Sequence, residues 1–169
     1  MKSELYNAIK SINCENLTES EKEDLLSMFI STKNSMLRNQ IAFIFSDIVY
    51  NKSIPYILQK INEKEILNKN ASLVYALQAM DVRKHFVDIV KIICTQEYES
   101  RLMAFEIVEN LANKITKSEK LKAIKILEHF RDTDTAVSPE MNLENSKIHF
   151  INKTLELVLM KGNGENNEA

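Results

Sequence analysis

Glycine is almost absent from this 169-residue chain; its two copies, Gly162 and Gly164, both lie in the terminal GNGENNEA, after the last apolar run. Phosphate-cradling loops, dinucleotide fingerprints, nucleophile elbows and EF-hand loops need glycine where the backbone takes a positive φ or approaches a ligand closely. A glycine-free body excludes each of them in its usual form. Proline is equally scarce, at two residues, and the shortage of both disfavours a β-rich fold, whose tight hairpins draw on them. The two cysteines, Cys14 and Cys94, stand far apart in no CxxC or Cys/His spacing, which argues against zinc and for reduced thiols. No uninterrupted apolar run reaches about 18 residues, and no apolar stretch follows a basic start at the N-terminus, so the chain reads as cytoplasmic and non-membrane. A formal charge of -2 argues against bulk nucleic-acid binding.

What remains is helical pattern on a soluble composition, long enough to bury a core and most simply one domain. Leu5, Ile9 and Ile12 recur at helical spacing, and Thr18-Glu19-Ser20-Glu21 has the capping-box form ahead of Leu25, Leu26, Phe29 and Ile30. Together they predict a first helical pair. A second capping box, Thr116-Lys117-Ser118-Glu119, precedes Leu121, Ile124 and Leu127. Ser138-Pro139-Glu140, or a point slightly later near Asn142, predicts the start of a final helix carrying Ile148, Ile151, Leu155 and Val158.

Two central segments repeat one another. Ile54, Ile57, Leu58 and Ile61 follow Ala42 and Asp47, as Phe86, Ile89, Val90 and Ile93 follow Ala76 and Asp81, offset by 34 residues for the first helix and 32 for the second. A third copy starts at Arg101: Ala104, Ile107, Val108 and Leu111 follow it at the intervals at which Ile41, Ile44, Phe45 and Ile48 follow Arg38. Each helix pair has too little apolar face to stand alone, so adjacent pairs are expected to stack.

Leu37-Arg38, Ile41-Ala42, Phe45, Ile48, then Ser53-Ile54-Pro55-Tyr56-Ile57-Leu58 and Ile61 resemble a bacterial HEAT-like repeat of the kind shared with phycobilin-lyase relatives. The resemblance covers one pair without a gap and two more with departures: residues 70–93 lack the arginine and the proline, and residues 98–127 carry a longer connection. It implies an all-α, right-handed α-solenoid of about four stacked helix pairs plus a C-terminal capping helix. That domain would span residues 1–161, with a disordered tail over 162–169. It also implies Pro55 in the first turn of the second helix, where a missing amide hydrogen costs little.

Little in the sequence points to catalysis. His85, His129 and His149 are scattered in no HExxH or i,i+4 arrangement and read as surface or capping residues. Asp47 and Asp81 occupy equivalent turns, where bonding to turn amides outweighs paired acid and base chemistry. Cys94 follows Ile92 and Ile93 and reads as a buried inert thiol. No catalytic, cofactor-binding or metal-binding residue is assigned. Some HEAT-like proteins are DNA glycosylases that hold a base with tryptophan and carboxylates, but this chain has no tryptophan.

Charge is polarised along the chain. Residues 15–24 hold five carboxylates against Lys22, a net of -4, while residues 114–125 hold five lysines against Glu119, a net of +4. These are solvated helix faces or a surface that steers a charged partner. With the Ile54 quartet in the core, Tyr56, Gln59, Lys60 and Glu63 are expected to face away from it, as are Asp88 and Lys91 on the next pair. In a helix-pair solenoid the second helices line the concave binding side. Tyr56 then either anchors an interface or covers the groove between helices.

The reading is a non-catalytic, monomeric protein-binding module, without cofactor, that forms a hetero-complex. The resemblance extends to immunity proteins, which inhibit a cognate bacterial toxin by covering its active site, with a nuclease as one form of partner. Tyr56, Gln59, Lys60, Glu63, Asp88, Lys91, Glu19, Glu21 and Glu23 would make that contact. The alternative is a scaffold or assembly adaptor for a cellular protein, and the third reading is a lyase-like or glycosylase-like enzyme.

Overall fold

Local capping chemistry starts the helices where the sequence places it. Thr18 Oγ1 accepts from the Glu21 amide at 3.3 Å while Glu21 Oε2 accepts from the Thr18 amide at 2.8 Å, and helix α1 (Glu19–Ser31) follows. Thr116 and Glu119 repeat the exchange at 3.2 and 3.0 Å ahead of a long helix, Lys117–Asp134. Each box satisfies two of the amides that a helix start leaves without partners. Asn34 caps α2 (Ser35–Asp47) by accepting from the amides of Met36 and Leu37.

The computed structural model describes residues 6–7, 9–12, 14–66, 69–134 and 146–160, and no strand occurs among them. Six further helices with described bounds follow, α3 (Ile54–Ile61), α4 (Ala71–Ala76), α5 (Phe86–Thr95), α6 (Tyr98–Leu111), α7 (Lys117–Asp134) and α8 (Lys147–Leu159), and residues 6–7 and 9–10 are helical as well. The described residues are all-helical, with short 3-10 turns as connectors. Pro55 lies in the first turn of α3, as expected. The final helix starts later than its sequence pattern predicts, at Lys147, where Ser146 accepts from the His149 amide at 3.1 Å. Ser138-Pro139-Glu140 and Asn142 lie outside the described residues, as do Leu5 and the tail 162–169.

The chain divides into two compact units, Met1–Val82 and Arg83–Ala169. In the first, α2 packs on α1 and α4, and α3 packs on α4. Phe29 meets Phe45 edge-on at 5.9 Å, and Ile41, Ile57, Ile61, Leu73 and Leu77 fill the remaining interior. In the second, α5 packs on α6 and α7, and α8 packs on α7, α6 and α5. Phe150 of α8 takes edge contacts from Phe105 and Tyr98. Both repeated apolar quartets are buried throughout, and so are Ala42, Ala76 and both repeat arginines, Arg38 and Arg101.

Helix ends are closed without glycine, by three devices. A side chain just past the last turn bonds back to a free carbonyl, Asn62 Nδ2 donating to Leu58 at 2.8 Å, while Thr95 Oγ1 to Lys91 at 2.8 Å and Thr133 Oγ1 to His129 at 2.6 Å add second donors to carbonyls inside the last turns. Buried polar residues from the start of the following helix reach across: Asn70 Nδ2 donates to Ile61 at 2.8 Å. Arg101 donates through Nε to Ile93 at 3.1 Å and through Nη2 to Gln96 at 2.8 Å. Ile61 and Ile93 are equivalent positions of the repeat, so one closure recurs with two chemistries.

The third device is strain. After α2 the Tyr50 amide donates to the Phe45 carbonyl at 2.8 Å and the Val49 amide to Ser46 at 3.1 Å, the paired bonds of a Schellman turn. Its left-handed position is taken by Val49, at φ 50°, where glycine is usual and a β-branched side chain crowds the backbone. Val49→Gly should therefore stabilise the protein by about 1 kcal/mol, the relieved strain exceeding the added chain entropy. Thermal or urea denaturation reads this directly, and a lower stability for the glycine variant would show that the Val49 side chain contributes more than its backbone costs.

Candidate functional site

The residues expected to face a partner fall into two groups once their neighbours are known. Lys60 is largely covered, its side chain 14% accessible, and bonds Glu63 at 2.9 Å. The charge of Glu63 in turn opposes the downward push that burial exerts on Arg38. Lys60 therefore departs from the expectation that it faces away from the core, because a long side chain beside buried residues lays its stem along them. On α5, Asp88 bonds Lys91 at 3.1 Å and stands 3.7 Å from His85 Nδ1. Tyr56 and Gln59 of α3 are exposed, and their side chains make no hydrogen bond with any described residue.

The acidic run is likewise engaged. Glu19 bonds Lys22 at 2.7 Å and lies 3.5 Å from Lys52; Glu23 lies 3.3 Å from Lys52 and accepts from Tyr50 Oη at 2.9 Å. Lys52 and Tyr50 belong to the turn between α2 and α3, so these bonds tie α1 to that turn. The hydrogen bond and charge of Lys22 hold Glu19 below the usual carboxylate range. The bond from Lys52 to Glu23 raises Lys52, and burial followed by the separate bond from Tyr50 to Glu23 raises Tyr50. Glu21 is held low by Thr18 in the capping box. These carboxylates support the first unit's own structure before they meet anything else.

A different surface is left open. The Schellman turn closes α2 with backbone donors alone, so Asp47, expected to bond turn amides, has nothing there to bond. Its exposed carboxylate makes no hydrogen bond or ion pair with a described residue. Its charge reaches Cys14, whose thiol is pushed up first by burial and then by Asp47. Asp47 and the strained Val49 form one wall of an open groove of about 620 Å³, with Phe43 and Ser46 beside them and Tyr75 and Gln78 opposite. Phe43 and Tyr75 meet edge-to-face at 6.1 Å. Tyr75 is 54% exposed and Val49 48%.

Sequence reasoning missed this groove because it looked to second helices for a binding face. The 34-residue repeat sets Tyr75 against Ile41, which is fully buried, and so argues for a core position. Helix α4 departs from that register in its facing: it buries Leu73, Val74 and Ala76, with Leu77 just beyond, and leaves Tyr75 outside. A tyrosine between two small or β-branched residues, Val74 and Ala76, was the available signal.

Among the described residues no group of three or more His, Cys, Asp or Glu is placed to hold a metal ion, and no helix is long and apolar enough to cross a membrane. The chain matches no protein-family model, no curated protein and no solved structure.

The lowered capping glutamates set an acid response. Glu21 and Glu119 titrate below their ordinary value of 4.5 in the folded chain. The stability they contribute is therefore complete above that value and is lost as pH falls through the lowered folded one. The double variant Glu21→Gln, Glu119→Gln should melt lower than the parent at neutral pH and lose less on acidification to about pH 3. Equal slopes of melting temperature against pH for the two proteins would contradict it.

Proposed function

We propose that this chain is a non-catalytic protein-binding module acting as an immunity-type inhibitor: it docks on a cognate bacterial toxin domain and covers the active site. Its frame is a right-handed solenoid of stacked helix pairs. The packing order inside each unit supports that frame. First helices meet first helices (α2 with α4, α6 with α8), and the second helix α5 meets the second helix α7. Stacked pairs bury a continuous core in this way.

The observation that carries the binding role is the open Phe43–Tyr75 groove beside Asp47, whose exposed carboxylate bonds no described residue. Tyrosine supplies large contact area with few rotors to freeze, and aromatic residues are enriched at interface centres. An inhibitor needs affinity and no reacting group. A carboxylate on its contact face suits a nuclease partner, whose cleft must carry cationic side chains to hold phosphates. Tyr56 and Gln59, exposed on α3 with side chains that bond no described residue, extend the set of contact candidates. Such an inhibitor acts in the cytoplasm as a monomer that becomes half of a hetero-complex.

Co-expression tests this reading. The C-terminal domain encoded by the adjacent gene should arrest growth when expressed alone, and this chain should restore it. Tyr75→Ala should weaken the rescue while melting like the parent, whereas Lys117→Ala, at the start of α7, should leave it intact. Failure of the parent chain to rescue, or full rescue by Tyr75→Ala, would contradict the proposal.

A further inference from the structure

We infer that the groove between α2 and α4 is a receptor for an arginine side chain presented by the protein partner. This inference rests on the groove being the contact surface and adds the chemistry of what enters it. Asp47 is the single charged residue among those lining the groove, and its carboxylate is exposed and unbonded to any described residue. A carboxylate in that state complements a cation, and the site presents no competing positive charge. The other wall is aromatic. Tyr75 stands more than half exposed and is held against Phe43 with the ring planes 83° apart, so ring surface is open to a ligand on a side chain that packing already orders.

Arginine joins these two features better than lysine does. Its planar guanidinium stacks on an aromatic face and donates two parallel hydrogen bonds to a carboxylate, whereas the lysine ammonium is a compact, strongly hydrated point charge. Its apolar stem matches Val49 and the Phe43 ring, which line the groove alongside the polar atoms. The volume, about 620 Å³, exceeds what one side chain fills and leaves room for the flanking peptide backbone. Val49 holds this wall: its left-handed backbone turns the chain immediately after Asp47, so the carboxylate sits on the last turn of α2 and not within a continuing helix.

The test titrates the intact, isotope-labelled chain with three capped tripeptides, Ala-Arg-Ala, Ala-Lys-Ala and the uncharged analogue with citrulline in place of arginine, following amide shifts by NMR. The arginine peptide should produce saturable shifts confined to residues 43–49 and 75–79. Binding should weaken at least about tenfold for the citrulline peptide, for Asp47→Asn and for Tyr75→Ala, and to a smaller degree for the lysine peptide. Both substituted positions are exposed, so the variants should keep the parent's melting temperature and spectrum. Equal binding of arginine and citrulline peptides would overturn the inference, as would arginine-induced shifts centred on residues 15–24. So would the absence of saturable shifts in a chain whose growth rescue still depends on Tyr75; that pairing removes the arginine while leaving the groove as the contact surface.

Discussion

The last turn of an α-helix leaves carbonyl groups with no donor inside the helix, and proteins commonly close it with a glycine in the left-handed conformation. This chain has no glycine before Gly162, so its described helices end without that residue, and three of them, α2, α3 and α5, show what stands in for it. The means decide what each helix end can then do. Where Asn70 reaches back to Ile61, and Arg101 to Ile93 and Gln96, the residue that closes one helix stands at the start of the next. The closure is also a joint, fixing consecutive helices against one another. Arg101 extends the joint, since its guanidinium lies 5.9 Å from the Phe150 ring of α8.

Helix α2 ends differently, and the groove is the consequence. A Schellman turn satisfies its carbonyls through the amides of Val49 and Tyr50, at the cost of a valine in a backbone region that suits glycine. No side chain is drawn in. Asp47 is left exposed with no hydrogen bond or ion pair to a described residue, and Val49 stands exposed beside it. Strain of this kind persists only where the surrounding structure over-determines it, and Tyr50 supplies that restraint: its ring packs on Phe45 at 5.5 Å and its hydroxyl bonds Glu23. The bonds that engage the acidic run of α1 are thus the same bonds that hold the strained turn in place.

The helix starts were legible because capping boxes are local: Thr18 with Glu21 and Thr116 with Glu119 bond as their spacing dictates. The two apolar quartets were legible as well, since a repeat shows one set of contacts more than once, whereas the burial of its arginines, Arg38 and Arg101, came from the structure. The exposed side of the molecule was harder to read. Whether Lys60 faces water or lies along the core depends on neighbours that helical period does not specify, and the pairing of Glu19 and Glu23 with Lys52 joins residues about thirty positions apart. Tyr75 escaped because α4 buries Leu73, Val74 and Ala76 and leaves Tyr75 outside, a facing that the repeat does not give. Asp47 escaped because its idleness follows from how a backbone turn satisfies itself.

At the ends of α3 and α5, polar side chains from the following helix perform the closure that glycine performs elsewhere. Equilibrium urea denaturation of Arg101→Met tests it most directly, because methionine keeps an apolar stem in the buried site while removing the donors to Ile93 and Gln96. A hydrogen bond from a charged donor contributes about 1.5–3 kcal/mol, so losing two should cost roughly 3 kcal/mol or more. A variant that unfolds at the parent's urea midpoint would contradict the claim, since it would mean that those carbonyls do not depend on the arginine.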